Sequence, residues 1–472
     1  HKGSAESVDH IKSLLLREST VKDIIRITIE IAGMDKHAGG HLLYPSSASC
    51  DGLVLLLKEI FCCDSFGSNL LRDSIEVLAL LEDMFWSCLT SRALSSKGVL
   101  ISLFLWRLVA NQMRSNDYHI IFRERSVHLM ATLIGPDHIS NLLQWPESFG
   151  GGTQGVESLL SIVLTILSKP LVSIGQKSPT DESFSGHYKE ALFKSNFISL
   201  VVTCADNVDS QGLSVPMNFL SRLILSSSRY SQQFVEGGGL KPSRIARALE
   251  NTKNAQILVD ALLVLSQLAR VSKQYYEDMA RADIYVGIRN LLQHNEASVR
   301  ARTCNLVGNM CRHSSFFYNA LHTHRIIGVL IERLKDSDST TRKFACFAIG
   351  NAGFHSSELY PNLKRSIGSL VRLLEDADSK TQTNAAGALG NLARNGDTLC
   401  GALIEENAVG ALAAIVTSCL SLLQRGVSDE QLTPLRIALF SLGNMCIHSD
   451  LKVQLEMNAT WRQSWPLLST NQ

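Results

Sequence analysis

Four asparagines hold one register in the C-terminal 200 or so residues, each directly after a glycine in an apolar run. The runs are Leu306-Val307-Gly308-Asn309-Met310, Ala348-Ile349-Gly350-Asn351-Ala352, Ala388-Leu389-Gly390-Asn391-Leu392 and Ser441-Leu442-Gly443-Asn444-Met445. Asn is a middling helix former, and a core position would favour Leu or Ala. A primary amide carries both donors and an acceptor, so it can pair with the N–H and the C=O of an extended chain. The chemistry this suggests is recognition of a polypeptide. A glycine inside a helix costs about 1 kcal/mol relative to alanine, so four at one register imply close helix packing.

Helical spacing puts the positions seven and four before, and three after, each Asn on its face. These are Arg302, Asn305 and Arg312; Phe344, Phe347 and Phe354; Asn384, Gly387 and Arg394; and Ile437, Phe440 and Ile447. The expected partner-binding set is Asn309, Asn351, Asn391 and Asn444, with Phe344, Phe347, Phe354 and Phe440 as apolar anchors and Arg302, Arg312 and Arg394 beside them. Phe344 and Phe347 can equally be packing residues under neighbouring repeats.

Bond-making chemistry finds little support. Gly237-Gly238-Gly239 lacks the spacing of a phosphate-binding loop and reads as a loop before a helix start. His322 and His324 are two apart, on different helix faces, without a Cys or carboxylate cluster around them. Cys304 and Cys311 share a face and Cys62 and Cys63 are adjacent, as small core residues often are. No metal and no cofactor is expected.

The elements that must position the asparagines recur with them. The glycines are separated by 42, 40 and 53 residues, and Leu292, Leu334 and Leu374 each stand 16 residues before a glycine. After each leucine comes a polar turn, such as Lys335-Asp336-Ser337-Asp338, able to stop one helix and cap the next. A weaker copy, Leu265 to Arg270, precedes the four. Such a period belongs to armadillo/HEAT-type repeats stacked into an all-α, right-handed α-solenoid. The 53-residue interval implies an exposed insertion between Ser418 and Leu432, around Arg425 to Glu430.

Composition agrees. The 472 residues carry 45 Lys and Arg against 44 Asp and Glu, with 45% hydrophobic residues and only 10 prolines. Near-neutrality speaks against a phosphate-driven nucleic-acid binder. Eleven cysteines without a CxxC pair suit a reducing compartment. The most apolar window, Val156 to Ile174, is interrupted by Glu157, Lys169 and Pro170, so no membrane span is expected. The chain starts at His1 and reads as a segment of a longer polypeptide.

Two regions are expected: 1–240, degenerate helical repeats, and 241–472, repeats with the Gly-Asn motif. Candidate helices in the first are Leu53 to Cys63, Leu71 to Leu89, Val99 to Met113, Val156 to Ser168, Lys189 to Cys204 and Asn218 to Phe234. Breaks fall at Gly39-Gly40, Pro146 through Gly155 and Gly175 through Gly186. A separate helical domain hinged near Phe149 to Gly155 is the alternative.

The run Thr341-Arg342-Lys343-Phe344-Ala345-Cys346-Phe347-Ala348-Ile349-Gly350-Asn351-Ala352-Gly353-Phe354-His355, with Asn384 to Asn391 and Arg436 to Asn444, resembles the C-terminal armadillo region of the Fused family of serine/threonine kinases. The likeness covers residues 255 to about 460, and its wording is nearest the plant, TWO-IN-ONE-like branch. That resemblance implies a scaffold recruiting a kinesin or other cytoskeletal partner in the cytoplasm, at the phragmoplast in cytokinesis for a plant protein, or in ciliary or Hedgehog roles for an animal one. The chain contains no glycine-rich loop, HRD or DFG motif, so the expectation is a non-enzymatic region of a protein whose kinase domain lies elsewhere. The Asn register also resembles importin-α and β-catenin, which makes an importin-type cargo or peptide receptor the alternative. Where importins often place Trp, four before each Asn, this chain has Asn305, Phe347, Gly387 and Phe440.

Overall fold

The computed structural model describes residues 5–34, 45–173, 179–250, 254–423, 432–459 and 461–462. Among them every regular element is a helix. The chain divides into two compact units, His1–Gly239 and Leu240–Gln472, taken in turn below.

The long helices of the second unit are α1 (Ala255–Val271), α2 (Ala297–Met310), α3 (Ser339–Ala352), α4 (Ser379–Leu392) and α5 (Thr433–Met445). The repeats ending in α2, α3 and α4 are each two short helices followed by a long one, while the helix before α5, Ala408–Leu423, is itself 16 residues long. Between α2 and α3, for example, lie Tyr318–Thr323 and Ile326–Glu332. Each long helix packs chiefly on the long helix of the next repeat, and no repeat could bury its apolar face alone.

The polar turns begin α3 and α4 as their sequences require. Asp338 accepts from the Thr341 amide at 2.7 Å and Asp378 from the Thr381 amide at 2.9 Å, ordinary side-chain caps. The aspartates two residues earlier face the preceding repeat: Asp336 binds Arg300 and Asp376 binds Arg342, each at 2.7 Å. Arg300 and Arg342 are thus tied into the stack.

The internal glycines are places of close approach. A Cβ on Gly308 would fall 2.5 Å from the Phe347 ring, one on Gly350 3.1 Å from Ala388 Cα, and one on Gly390 2.7 Å from Ser441 Cα. Helices α3, α4 and α5 therefore each lie on a groove that a glycine of the preceding long helix leaves open. Gly443, on α5, meets nothing within 4 Å.

The first unit is helical throughout, but three expected helices are each two. Ser74 interrupts Leu71 to Leu89 by adopting extended backbone and accepting from the Val77 amide. Asn196, with φ 50°, divides Lys189 to Cys204, and extended Ser227 divides Asn218 to Phe234. All three residue types favour caps and turns over helix interiors. Pro146 through Gly151 is a turn inside this unit, leading into Gly152–Ser173, which packs against Ser96–Gln112, Pro136–Gln144 and Ser214–Ser226. By length and composition alone the stretch Glu147–Val172 could cross a membrane, yet 56% of its most apolar window is buried inside the protein. Gly237 to Gly239 close the helix Ser228–Glu236: the Gly239 amide returns to Phe234 O at 2.8 Å and Gly238 takes φ 75°, a C-terminal cap. Gly39-Gly40 and the Arg425 to Glu430 insertion lie outside the described residues.

Candidate functional site: the exposed stripe of the long helices

The expected face is the solvent-facing one. Arg302, Asn305 and Arg312 on and after α2, Phe344, Phe347, Asn351 and Phe354 along α3, Asn384, Gly387, Asn391 and Arg394 along α4, and Ile437, Phe440, Asn444 and Ile447 along α5 are all half-buried or exposed. Phe440 and Ile447 retain 55% and 73% of their accessible surface. Asn309 departs from the set. It is 3% exposed, because α1 carries Ser266 where the other helices carry glycine, and the Asn309 amide turns inward to the Ser266 hydroxyl at 2.8 Å.

The other three asparagines share one geometry. Asn351 Nδ2 donates to Gly308 O at 2.8 Å, Asn391 Nδ2 to Gly350 O at 3.1 Å and Asn444 Nδ2 to Gly390 O at 3.4 Å. Each acceptor sits in the last turn of a helix, where carbonyls lack an intrahelical partner: the Arg312 amide, which regular helix would bring to Gly308 O, turns to Asn309 O instead. The asparagine is therefore first a cap supplied by the following repeat. Its Oδ1 takes no donor among the described residues and faces the stripe.

Two further ladders escaped the sequence reading. Tyr276, Tyr318 and Tyr360, spaced by 42 residues, send their hydroxyls to Asn309 O, Asn351 O and Asn391 O at 3.4, 2.7 and 3.2 Å. Burial pushes the Tyr276 phenol up to about 12 and raises Tyr318 and Tyr360 too, so all three remain protonated donors at neutral pH. Four residues after each asparagine comes a second cap: His313, His355 and His448 place Nε2 at 2.8, 3.0 and 2.6 Å from Arg270 O, Arg312 O and Ala393 O, and Asn395 donates to Phe354 O at 2.8 Å. The signal, a polar residue recurring four after each Asn, was on view in the sequence.

The anchors divide by role. Phe347 lies over Gly308 and so helps pack the repeats. Phe354 stands edge-on to His355 and is covered by the Arg394 guanidinium, 4.1 Å from its centroid. Lys343 Nζ is 4.9 Å from the Phe344 ring, a cation–π distance. Phe440 is the openly exposed ring.

The groups weighed for bond-making chemistry have structural surroundings. Burial raises the thiols of Cys304, Cys311 and Cys346 well above the ordinary range, which suppresses the nucleophilic thiolate. His322 meets Asn362 Oδ1 at 2.9 Å and His324 stacks on Tyr285. Among the described residues no three His, Cys, Asp or Glu side chains are grouped to hold a metal.

Three-helix repeats stacked by their third helices, with an asparagine ladder along the exposed stripe, define an armadillo-type α-solenoid, and the armadillo/beta-catenin-like repeat family matches residues 363–394. Homologues are serine/threonine kinases of the Fused type. Serine/threonine-protein kinase TIO of Arabidopsis thaliana is 33% identical over 362 residues, 69% of this chain and 27% of that protein. Serine/threonine-protein kinase 36 of Mus musculus is 26% identical over 355 residues, 66% of this chain and 26% of that one. The chain thus spans about a quarter of the length of these relatives. Among solved structures, an engineered protein aligns over 93% of this chain and 98% of its own with a TM-score of 0.57 at 16% identity, a likeness of fold.

Proposed function

We propose that the second unit is a non-catalytic interaction scaffold of a Fused-type kinase, and that its exposed stripe binds a segment of a protein partner, a kinesin or another cytoskeletal protein. The observation that carries this reading is the row of Oδ1 atoms on Asn351, Asn391 and Asn444, which take no donor among the described residues, with Phe440 and Ile447 exposed beside Asn444. Amide oxygens at repeat spacing can accept from the N–H groups of an extended chain, and exposed apolar side chains beside them supply anchors. The kinesin assignment, a cytoplasmic location at the cytoskeleton, and a role in cytokinesis or, in an animal setting, in cilia or Hedgehog signalling rest on the resemblance to Fused kinases.

The test is capture of partners by the whole chain, read by mass spectrometry, beside Phe440→Asp and the double variant Asn391→Ala/Asn444→Ala. A kinesin held by the parent chain and released at least tenfold more readily by folded variants supports the proposal. Unchanged retention by variants that keep their helical content removes the stripe as the site, and capture of nuclear cargo with basic signals favours the importin-type receptor instead.

A further inference from the structure

The long helices that carry the stripe are charged in one sense only. Helices α2, α3, α4 and α5 contain no aspartate or glutamate, while they carry Arg300, Arg302, Arg342, Lys343, Lys380 and Arg436. Arg300 and Arg342 are taken up at the N-terminal ends by Asp336 and Asp376, and Asp338 and Asp378 are taken up as caps. The four long helices themselves therefore carry basic charge alone. Among the described residues Arg302, Arg312, Lys343 and Arg394 have no carboxylate within 4 Å. Arg394 and Lys343 lie over the faces of Phe354 and Phe344, so each presents a cation whose close partner among the described residues is an aromatic ring.

The distribution along the stack is uneven. Cations flank the stripe from α2 through α4; on α5, which keeps Arg436, the stripe positions themselves become apolar, Ile437, Phe440 and Ile447, with Phe440 and Ile447 exposed. From this charge complementarity we propose that the partner segment is an acidic extended peptide with an apolar end. Its carboxylates lie over Arg302, Arg312, Lys343 and Arg394, and its aliphatic or aromatic residues lie over Phe440 and Ile447. Helix axes about 10 Å apart make the four-helix row about 30 Å long, which about 10 residues of extended chain would cross. A polypeptide suits the row better than a polynucleotide, because the amide oxygens between the cations call for donors, and a phosphate backbone offers only acceptors. The inference rests on the scaffold reading above and specifies the chemistry of its partner.

Two labelled peptides of about 10 residues test it: one with Asp and Glu followed by Leu-Phe, the other identical but with Lys for every acid. Fluorescence anisotropy is measured with the whole chain and with Arg312→Glu/Arg394→Glu, whose side chains are both exposed at their helix ends; Lys364→Glu, on a short helix, is the control. The acidic peptide is expected to bind the parent chain, to weaken about tenfold or more in the double variant and little in the control, and to weaken again as NaCl rises from about 50 mM to about 300 mM. The double variant is expected to gain affinity for the Lys peptide. Tighter binding of the Lys peptide by the parent chain overturns the acidic preference and leaves the scaffold reading standing. Acidic-peptide binding indifferent to the double variant, or a stronger hold on an oligodeoxythymidine of equal charge, overturns the placement. If neither peptide binds, the stripe itself fails as a peptide site.

Discussion

The two units fill their cores with the same aliphatic and aromatic residues but settle their buried polar groups differently. In the second unit one solution recurs: the last carbonyls at the ends of α2, α3 and α4 are bonded by an Asn, a Tyr and a His or Asn from neighbouring repeats. In the first, the solutions vary from place to place, and some buried polar atoms, such as Trp106 Nε1, take no partner among the described residues. Glu82 is fully buried and bound by Arg125 and by the Ser126 hydroxyl, which donates to Oε1 at 2.7 Å. Tyr188 donates to Leu167 O at 2.8 Å and Tyr230 to Lys189 O at 2.7 Å. A repeated solution distributes a small energy over many bonds, and a singular one concentrates it.

The largest effect is therefore expected in the first unit. Arg125→Ala would leave the Glu82 carboxylate buried without its main counter-charge, at a cost of about 3–5 kcal/mol; chemical denaturation should show the loss, and a change below about 1 kcal/mol would mean water reaches Glu82. Next comes the close approach in the second unit. Gly390→Ala forces a Cβ against the Ser441 backbone and should destabilise by about 1–3 kcal/mol, whereas Gly443→Ala, in the same motif but with nothing near it, should stabilise by about 0.5–1 kcal/mol. Equal responses from the two glycines in calorimetry would show that helix propensity, and not contact, governs the register. Asn351→Ala should cost about 1–2 kcal/mol by stranding Gly308 O, and Asn444→Ala less, since its bond is longer. An unchanged melting temperature for Asn351→Ala would leave the amide with no capping role.

The smallest effect concerns acid. Hydrogen bonding from Arg342 holds the Asp376 carboxyl below its ordinary value, and at Asp336 bonds from Arg300 and the Asp338 amide outweigh the burial that would raise it. A carboxyl lowered in the folded state contributes stability above its unfolded value near 3.8 and loses it as the pH falls through the folded value. Asp376→Asn should therefore flatten the decline in urea midpoint between about pH 5 and pH 2, by less than about 1 kcal/mol for a pair near the surface. Parallel declines for parent and variant would remove the ladder as a source of acid sensitivity.

Legibility in the sequence followed the same division. The Gly-Asn repeat announced the second unit because one steric demand, a helix lying on a glycine, recurs near every 40 residues, and Asp338 and Asp378 cap where the polar turns promised. Asn309 was misplaced because its fate is decided by Ser266, 43 residues earlier, where the motif is weakest. The Tyr and His ladders are not legible from the Asn face, because they act across repeats and their residues lie outside the −7, −4 and +3 positions of one helix. In the first unit, apolar runs located the helices, but Ser74, Asn196 and Ser227 divided three of them through local backbone turns that hydropathy does not record.

The asparagine ladder has a mechanical side. Asn351, Asn391 and Asn444 set the distance from each long helix to the one before it with Nδ2, and offer Oδ1 outward from the same amide. A donor at Oδ1 polarises that amide and strengthens the bond its Nδ2 makes. Each occupied rung would then be a stiffer spring than an empty one, and a bound segment would alter the bending modulus of the stack without any new contact between repeats.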